Sequence, residues 1–303
     1  MIRDNKLENF ADRVVLYNKP ITADVFLTDF CNNRCEYCRY SNSTGGYMSY
    51  LDFKTCLSAL KKNGVVGVIL TGGGEPTINP DFDKITTLLS QTKTPFGINT
   101  NLNKSIPAGA NFVKVSLDCG NAETYKKIRR VDSFEKVIDN LKYLIDDNTK
   151  KGNPTQIGLQ CITNTVQQTL DFYKFFKNFD VSYLQFRPIE SKFCDKDYSD
   201  ILKLLNDLKS EDGRVLVSPK YKLMKRFDKC FANWSVLTVK HNLDVIYCCH
   251  KPDEVVAKIT DKNLLEKLKT HETKMCDCEI PCRLSAANNF LMNFEEEKDL
   301  FFV

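Results

Sequence analysis

Cys31-Asn32-Asn33-Arg34-Cys35-Glu36-Tyr37-Cys38 sets three cysteines close together, directly after an apolar run from Ala23 to Phe30 that reads as a strand. Three thiolates at this spacing suit three corners of a cubane [4Fe–4S] cluster, in which each iron takes one thiolate. The spacing leaves the fourth iron without a protein ligand nearby, and a metal with an open position can bind a substrate or cofactor directly. A zinc knot or a set of buried cysteines competes for the same spacing.

Working outward, six apolar or alternating runs read as strands: 21–30, 65–70, 95–101, 112–118, 156–163 and 181–189. Amphipathic stretches stand between them. Leu51 to Lys62 carries Phe53, Cys56, Leu57 and Leu60 at helical spacing, and 81–90, 122–129, 133–146 and 165–179 follow the same period. Cys56 reads as a small core hydrophobe. Phe172, Phe175, Phe176 and Phe179 read as packing residues. This order predicts an α/β fold, a partial (β/α)6 TIM-like barrel whose site lies at the C-terminal ends of the strands. The second strand opens into Thr71-Gly72-Gly73-Gly74-Glu75-Pro76, where glycines let the backbone pass close to a ligand.

The Cys-x3-Cys-x-aromatic-Cys loop resembles the signature of the radical S-adenosylmethionine (SAM) superfamily, and Gly73, Gly74 and Glu75 resemble that family's GGE motif. The resemblance implies that Cys31, Cys35 and Cys38 hold the cluster and that its open iron chelates the amino and carboxylate groups of SAM. An electron from the cluster then cleaves SAM to a 5′-deoxyadenosyl radical. By the same resemblance Tyr37 packs near the adenine, while Gly73, Gly74 and Glu75 contact the SAM amino group. Asn99 and Asn101 lie in a segment similar to the family's Thr-Asn-Gly, with Leu102 in place of glycine. Ser116 and Asp118 resemble its Ser-x-Asp, which reaches the ribose or the substrate; Asp118 also suits a cap at the strand-to-helix turn. Arg187 reads as a neighbour of the SAM carboxylate, as a group between two clusters, or as a solvated rim residue.

A second cysteine group begins after Gly213. Cys230 follows a basic segment expected to be a helix (221–229), two alternating runs around Lys240-His241-Asn242 read as a hairpin ending in Cys248-Cys249-His250, and Cys276, Cys278 and Cys282 precede a last expected helix over 284–294. A structural zinc site also takes four thiolates, but paired Cys-x2-Cys knuckles are missing. The arrangement resembles the SPASM/twitch extension of radical SAM enzymes, without the glycine usual in the hairpin. That implies one auxiliary [4Fe–4S] cluster on Cys230, Cys248, Cys278 and Cys282, with Cys276 the reserve ligand. Cys249 is then a packing thiol or a catalytic hydrogen-atom donor. The expected domains are a lead-in over 1–20, a core barrel over 21–212 and an α+β hairpin/helix iron–sulfur extension over 213–303.

The 303 residues carry 43 basic and 39 acidic side chains, too balanced to argue for nucleic acid. Thirteen cysteines in a chain this long do not resemble a small secreted disulfide framework. The charged N-terminus lacks the apolar core of a signal peptide, and no run approaches the roughly 18–20 apolar residues of a membrane span. A cytoplasmic enzyme with reduced thiols is the expectation, fed electrons by flavodoxin or ferredoxin. Hydroxyl- and amide-bearing strand ends (Asn99, Asn101, Ser116, Gln160, Gln185) suit oxidation or epimerisation of a small polar substrate, of sugar or aminocyclitol type. Modification of a ribosomally made peptide is the alternative, and a non-catalytic zinc-binding interaction protein is the rival from another class.

Overall fold

The computed structural model describes residues 20–40, 45–189, 196–221, 230 and 236–272, with side chains described to residue 268. The lead-in to residue 19, the basic segment 222–229, Cys276, Cys278, Cys282 and the expected last helix lie outside the described residues.

Seven strands run parallel: β1 (Thr22–Phe26), β2 (Gly67–Thr71), β3 (Phe96–Thr100), β4 (Phe112–Ser116), β5 (Gln156–Thr163), β6 (Tyr183–Pro188) and β7 (Val215–Val217). Between them lie α1 (Tyr50–Lys62), α2 (Phe82–Gln91), α3 (Ala122–Arg129), α4 (Phe134–Lys150), α5 (Val166–Phe176) and α6 (Ser199–Glu211). The chain then crosses to the free side of β1, where β8 (Val236–Val239) pairs with it in parallel. Next come β9 (Asp244–Cys248) and β10 (Lys251–Lys258), both antiparallel, and α7 (Leu264–Glu272). Among the described residues the strands form one sheet in the order β10-β9-β8-β1-β2-β3-β4-β5-β6-β7. This is the partial α/β barrel that the six βα units imply, and the expected hairpin joins its sheet through β8. No helix among the described residues is long and apolar enough to cross a membrane.

Alternation along the strands gives the sheet two different faces. One bears Val25, Leu70, Ile98, Val113, Leu159 and Phe186. These merge with Phe53 and Leu60 of α1, Ile85 and Leu89 of α2, Leu141 of α4 and Phe172 of α5 in one core. Burying each such side chain contributes about 1.5–3 kcal/mol as an upper estimate. Cys56 is fully buried in the same core. The other face is polar. Strand register aligns Asn99 with Lys114, Ser116 with Gln160, Gln160 with Gln185, and Ile162 with Arg187. Asp24 stands on that face too, through its register with Ile69 and Gly97.

Helix starts follow their capping residues. Ser49 accepts from Asp52 N, Asn121 from Thr124 N and Thr165 from Gln168 N, each satisfying a backbone donor that the first turn leaves unpaired. The expected stop at Asn63-Gly64 is present, with Gly64 at φ 92°.

Candidate active site

The cysteine loop leaves the C-terminal end of β1 and is fastened to the far end of α3. Arg34 N and Glu36 N donate to the carbonyls of Arg129 (3.1 Å) and Ile128 (3.0 Å). A helix leaves its last carbonyls without intrahelical partners, so the loop satisfies what the helix cannot. Arg130 closes α3 at φ 56°, the left-handed position that glycine usually takes.

Two asparagine pairs fix the other side. Asn101 Nδ2 donates to Asn32 Oδ1 at 2.7 Å and Asn103 Nδ2 to Asn33 Oδ1 at 2.6 Å. Asn101 Nδ2 also lies 3.8 Å from Cys31 Sγ, which accepts from Asn33 N at 3.4 Å. Cys31 is exposed as a residue, yet burial around its sulfur pushes the thiol up to about 12, reinforced by Glu75, Cys35 and Cys38. Burial raises Cys38 as well. Each of the three thiols has an N–H donor aimed at it, from Asn33 N to Cys31, Arg129 Nη1 to Cys35 and Tyr40 N to Cys38. This fits a cluster that needs them as thiolates, since hydrogen bonds to the charged form favour it. Among the described residues no three His, Cys, Asp or Glu side chains are grouped to ligate a single metal ion. A cubane instead gives each iron its own thiolate.

The glycine loop packs against the root of the cysteine loop. Gly74 N donates to Thr28 O (3.0 Å) and Glu75 N to Phe30 O (2.8 Å). A Cβ on Gly74 would lie 1.8 Å from Phe30 O, and one on Gly73 would lie 2.6 Å from Asp29 Oδ1. At Gly73 and Gly74 the backbone thus also runs close against the chain's own segment at Asp29–Phe30. Glu75 is buried. Its Oε1 accepts from Thr77 N (3.2 Å), Thr77 Oγ1 (2.7 Å) and Thr100 Oγ1 (2.6 Å), and its Oε2 from Asn101 N (2.7 Å). Burial raises its carboxyl and those donors oppose the rise. The side chain thus clamps the end of β2 to the end of β3. In Glu75→Gln the new amide would face the Asn101 N–H donor to donor. That substitution is expected to lower stability by about 1–3 kcal/mol, read as a lower denaturant midpoint at unchanged slope. Leu102, in the glycine position of the third-strand motif, adopts φ 59° and is fully buried. Its N–H is held by Thr100 Oγ1 (2.9 Å) and its carbonyl by Asn140 Nδ2 (2.8 Å). The loop keeps a glycine-like conformation with a leucine in it.

Asp118 does not take the capping role that the sequence also offered it. It is fully buried at φ 68°, and Asn121, not Asp118, caps α3. Its Oδ2 accepts from Tyr37 Oη at 2.6 Å and meets Arg129 Nη2 at 2.5 Å, while Oδ1 accepts from Ile162 N at 2.8 Å. With these donors in place the carboxylate is a support beneath the cysteine loop. Tyr37 is tied down by the same bond. Burial first, then the Asp118 charge, raises its phenol well above the usual range. Burial works against the charge on Arg129, but Asp118, Cys35 and Tyr37 outweigh it and keep the guanidinium charged.

Asn99 and Ser116 lie on the polar face, and Asn99 Oδ1 is buried with no hydrogen-bond partner among the described residues. Such an atom fits an incoming donor. Arg187 Nη1 donates to Gln160 Oε1 at 3.2 Å, which places it along the strands β5 and β6. Lys114 and Asp24 occupy the same face and were missed as site residues. Strict alternation with Val113, Val115, Ala23 and Val25 marks both.

The end of β9 brings part of the second cysteine group together. Burial pushes the Cys248 thiol up to about 12, and the nearby Cys249 and Cys230 add to the rise. Tyr247 Oη donates to Cys230 O at 3.3 Å and His250 N to Cys248 Sγ at 3.3 Å. The two cysteine regions also meet. Tyr40 Oη donates to Cys249 O at 2.5 Å, Arg39 to His250 O, and Gly46 N to His241 Nε2 at 3.0 Å.

Residues 25–159 match the Radical SAM superfamily. A probable GTP 3′,8-cyclase of Saccharolobus solfataricus is 25% identical over 211 residues, 65% of this chain and 67% of that relative. One from Saccharolobus islandicus is 33% identical over 132 residues, 40% of this chain and 42% of its own length. Among solved structures, Streptococcus suis SuiB bound to the precursor peptide SuiA superposes with TM-score 0.65 at 16% identity, over 86% of this chain and 68% of that one. The anSMEcpe structure with AdoMet and the Cp18Cys peptide gives TM-score 0.66 at 20% identity, over 84% and 81%. The cofactors of this family are a [4Fe–4S] cluster and SAM, and the loop that carries the three thiols falls inside the matched span. Residues 25–159, which carry both the cysteine loop and the glycine loop, match as a radical SAM domain.

Proposed function

We propose that the chain abstracts a hydrogen atom from a carbon of a small polar substrate held against the polar face of the sheet. In this reading Cys31, Cys35 and Cys38 hold the reactive cluster, and Gly73, Gly74 and Glu75 position SAM. The supporting observation is the alignment of Asn99, Lys114, Ser116, Gln160, Gln185 and Arg187 on one face, opposite the apolar core. Together the cluster and SAM supply one-electron chemistry that generates a hydrogen-abstracting radical. The chain's own residues do the rest. The amides and the hydroxyl offer both donors and acceptors to a hydroxylated substrate, and the sheet with its helices shields the reacting carbon.

An auxiliary [4Fe–4S] cluster on Cys230, Cys248, Cys278 and Cys282 belongs to the same proposal, supported by the proximity of Cys230 and Cys248. Residues 21–212 are then the core and 213–303 the cluster-bearing extension, with a flavodoxin- or ferredoxin-type reductant supplying electrons. A cluster held there would supply a one-electron acceptor, which fits oxidation of the substrate. Hydrogen-atom donation from the Cys249 thiol to a substrate radical, with the resulting thiyl restored by one electron from the flavodoxin- or ferredoxin-type reductant and one proton, would fit epimerisation. The relatives named GTP 3′,8-cyclase favour a second reading, a nucleoside triphosphate, whose phosphates would suit the cations Lys114 and Arg187.

The test is anaerobic purification, iron and sulfide counting, then reduction with SAM in the presence of sugars, aminocyclitols, GTP or short peptides. We expect about eight irons and 5′-deoxyadenosine formation that a sugar or aminocyclitol accelerates. Acceleration by GTP alone would select the second reading. A fully loaded protein that leaves SAM intact would overturn both.

A further inference from the structure

We infer that Arg129 sets the reduction potential of the cluster on the cysteine loop, acting as a positioning residue through Cys35. This rests on the reading of Cys35 as a cluster ligand. Arg129 lies at the end of α3 and is 6% exposed. Its Nη1 donates to Cys35 Sγ at 3.3 Å and its Nη2 sits 2.5 Å from Asp118 Oδ2. Nε is buried with no hydrogen-bond partner among the described residues. A guanidinium kept only to neutralise a buried carboxylate would favour a two-pronged fork onto it. Here one prong goes to a sulfur instead, and the carboxylate shares itself with Tyr37 and the Ile162 N–H.

The consequence follows from charge. Reduction makes the cluster more negative, and a buried positive charge with an N–H directed at a ligand sulfur stabilises that form. Net charge, hydrogen bonds to sulfur and solvent exposure are among the protein's levers on such potentials. Asp118 works in the opposite sense, because its negative charge offsets part of the guanidinium's field. Arg129 and Asp118 therefore form a matched pair of opposing controls on one cluster, and Tyr37, which holds Asp118 in place, sits between the thiols Cys35 and Cys38 in sequence.

The experiment is an EPR-monitored redox titration of the anaerobically reconstituted full chain without SAM, following the cluster signal that added SAM perturbs. Arg129→Gln should shift the equilibrium about tenfold toward the oxidised cluster, which is about 59 mV lower for a one-electron couple. Asp118→Asn, which can still accept from Ile162 N and face Tyr37, should shift it the other way. Arg129→Lys keeps the charge and should lie between wild type and the glutamine variant. If Arg129→Gln takes up no cluster, Asp118→Asn and Arg129→Lys decide. Loaded variants whose potentials match wild type, or shifts of the same sign for Asp118→Asn and Arg129→Gln, would overturn the inference alone. A wild-type chain that binds no four-iron cluster would overturn the reading of the loop and this inference with it.

Discussion

Replacing Cys35 with alanine is expected to remove about four irons per chain and to abolish 5′-deoxyadenosine formation. A cubane held by three thiolates has no spare ligand, so losing one leaves two irons without protein anchors. The position is also the one that Arg129 Nη1 reaches at 3.3 Å. In the variant that guanidinium would keep Asp118 but lose its sulfur, so the fold has reason to survive the loss of the metal. Two controls separate this from general damage. Cys56→Ala removes a thiol that is fully buried in the core beneath α1 and should leave iron content unchanged. Cys248→Ala should remove only the irons of the proposed auxiliary cluster while SAM cleavage persists. Iron and sulfide counting beside a 5′-deoxyadenosine assay reads all three. Full iron in Cys35→Ala would show that Cys35 is not a ligand.

Much of this architecture was legible from residue order. The six core strands and the helices between them follow from period-2 and period-3.6 patterning, because each element must bury one face in a shared core. What escaped was short or deliberately unlike a strand. β7 has three residues, and β10 carries Pro252, Asp253 and Glu254, the proline and charge that keep an edge strand from pairing further. Motif reading located the cysteine and glycine loops but could not show what their neighbours do. The Asp118–Arg129–Tyr37 network joins residues far apart in sequence, and no local pattern says that an aspartate at a strand end turns inward. Lys114 and Asp24 were within reach, since alternation alone sets them beside Ser116 and against Val25.

Gly74→Ala is expected to be the most damaging single-methyl change in the site, and the reason is contact rather than torsion. Gly74 is not among the described glycines with positive φ, so an alanine could adopt its backbone angles. The added Cβ, however, would lie 1.8 Å from Phe30 O, 2.3 Å from Phe30 C and 2.8 Å from Asp29 C. These are backbone atoms, which no rotamer change can move aside. Relief requires the ends of β1 and β2 to separate, which breaks the 2.8 Å bond from Glu75 N to Phe30 O. It would also drag Cys31, the next residue, out of register with Cys35 and Cys38. Overpacking a rigid site costs about 1–3 kcal/mol and occasionally more, and the lost bond adds about 1 kcal/mol. Gly73→Ala is the informative comparison. Its Cβ would meet Asp29 Oδ1 at 2.6 Å and Tyr40 Cδ1 at 3.1 Å, both side-chain atoms that can shift. After identical anaerobic reconstitution, Gly74→Ala should show a lower unfolding midpoint and depleted iron, and Gly73→Ala a milder change in both. A Gly74→Ala protein with full iron and the wild-type midpoint would mean that the glycine loop does not brace the root of the cysteine loop.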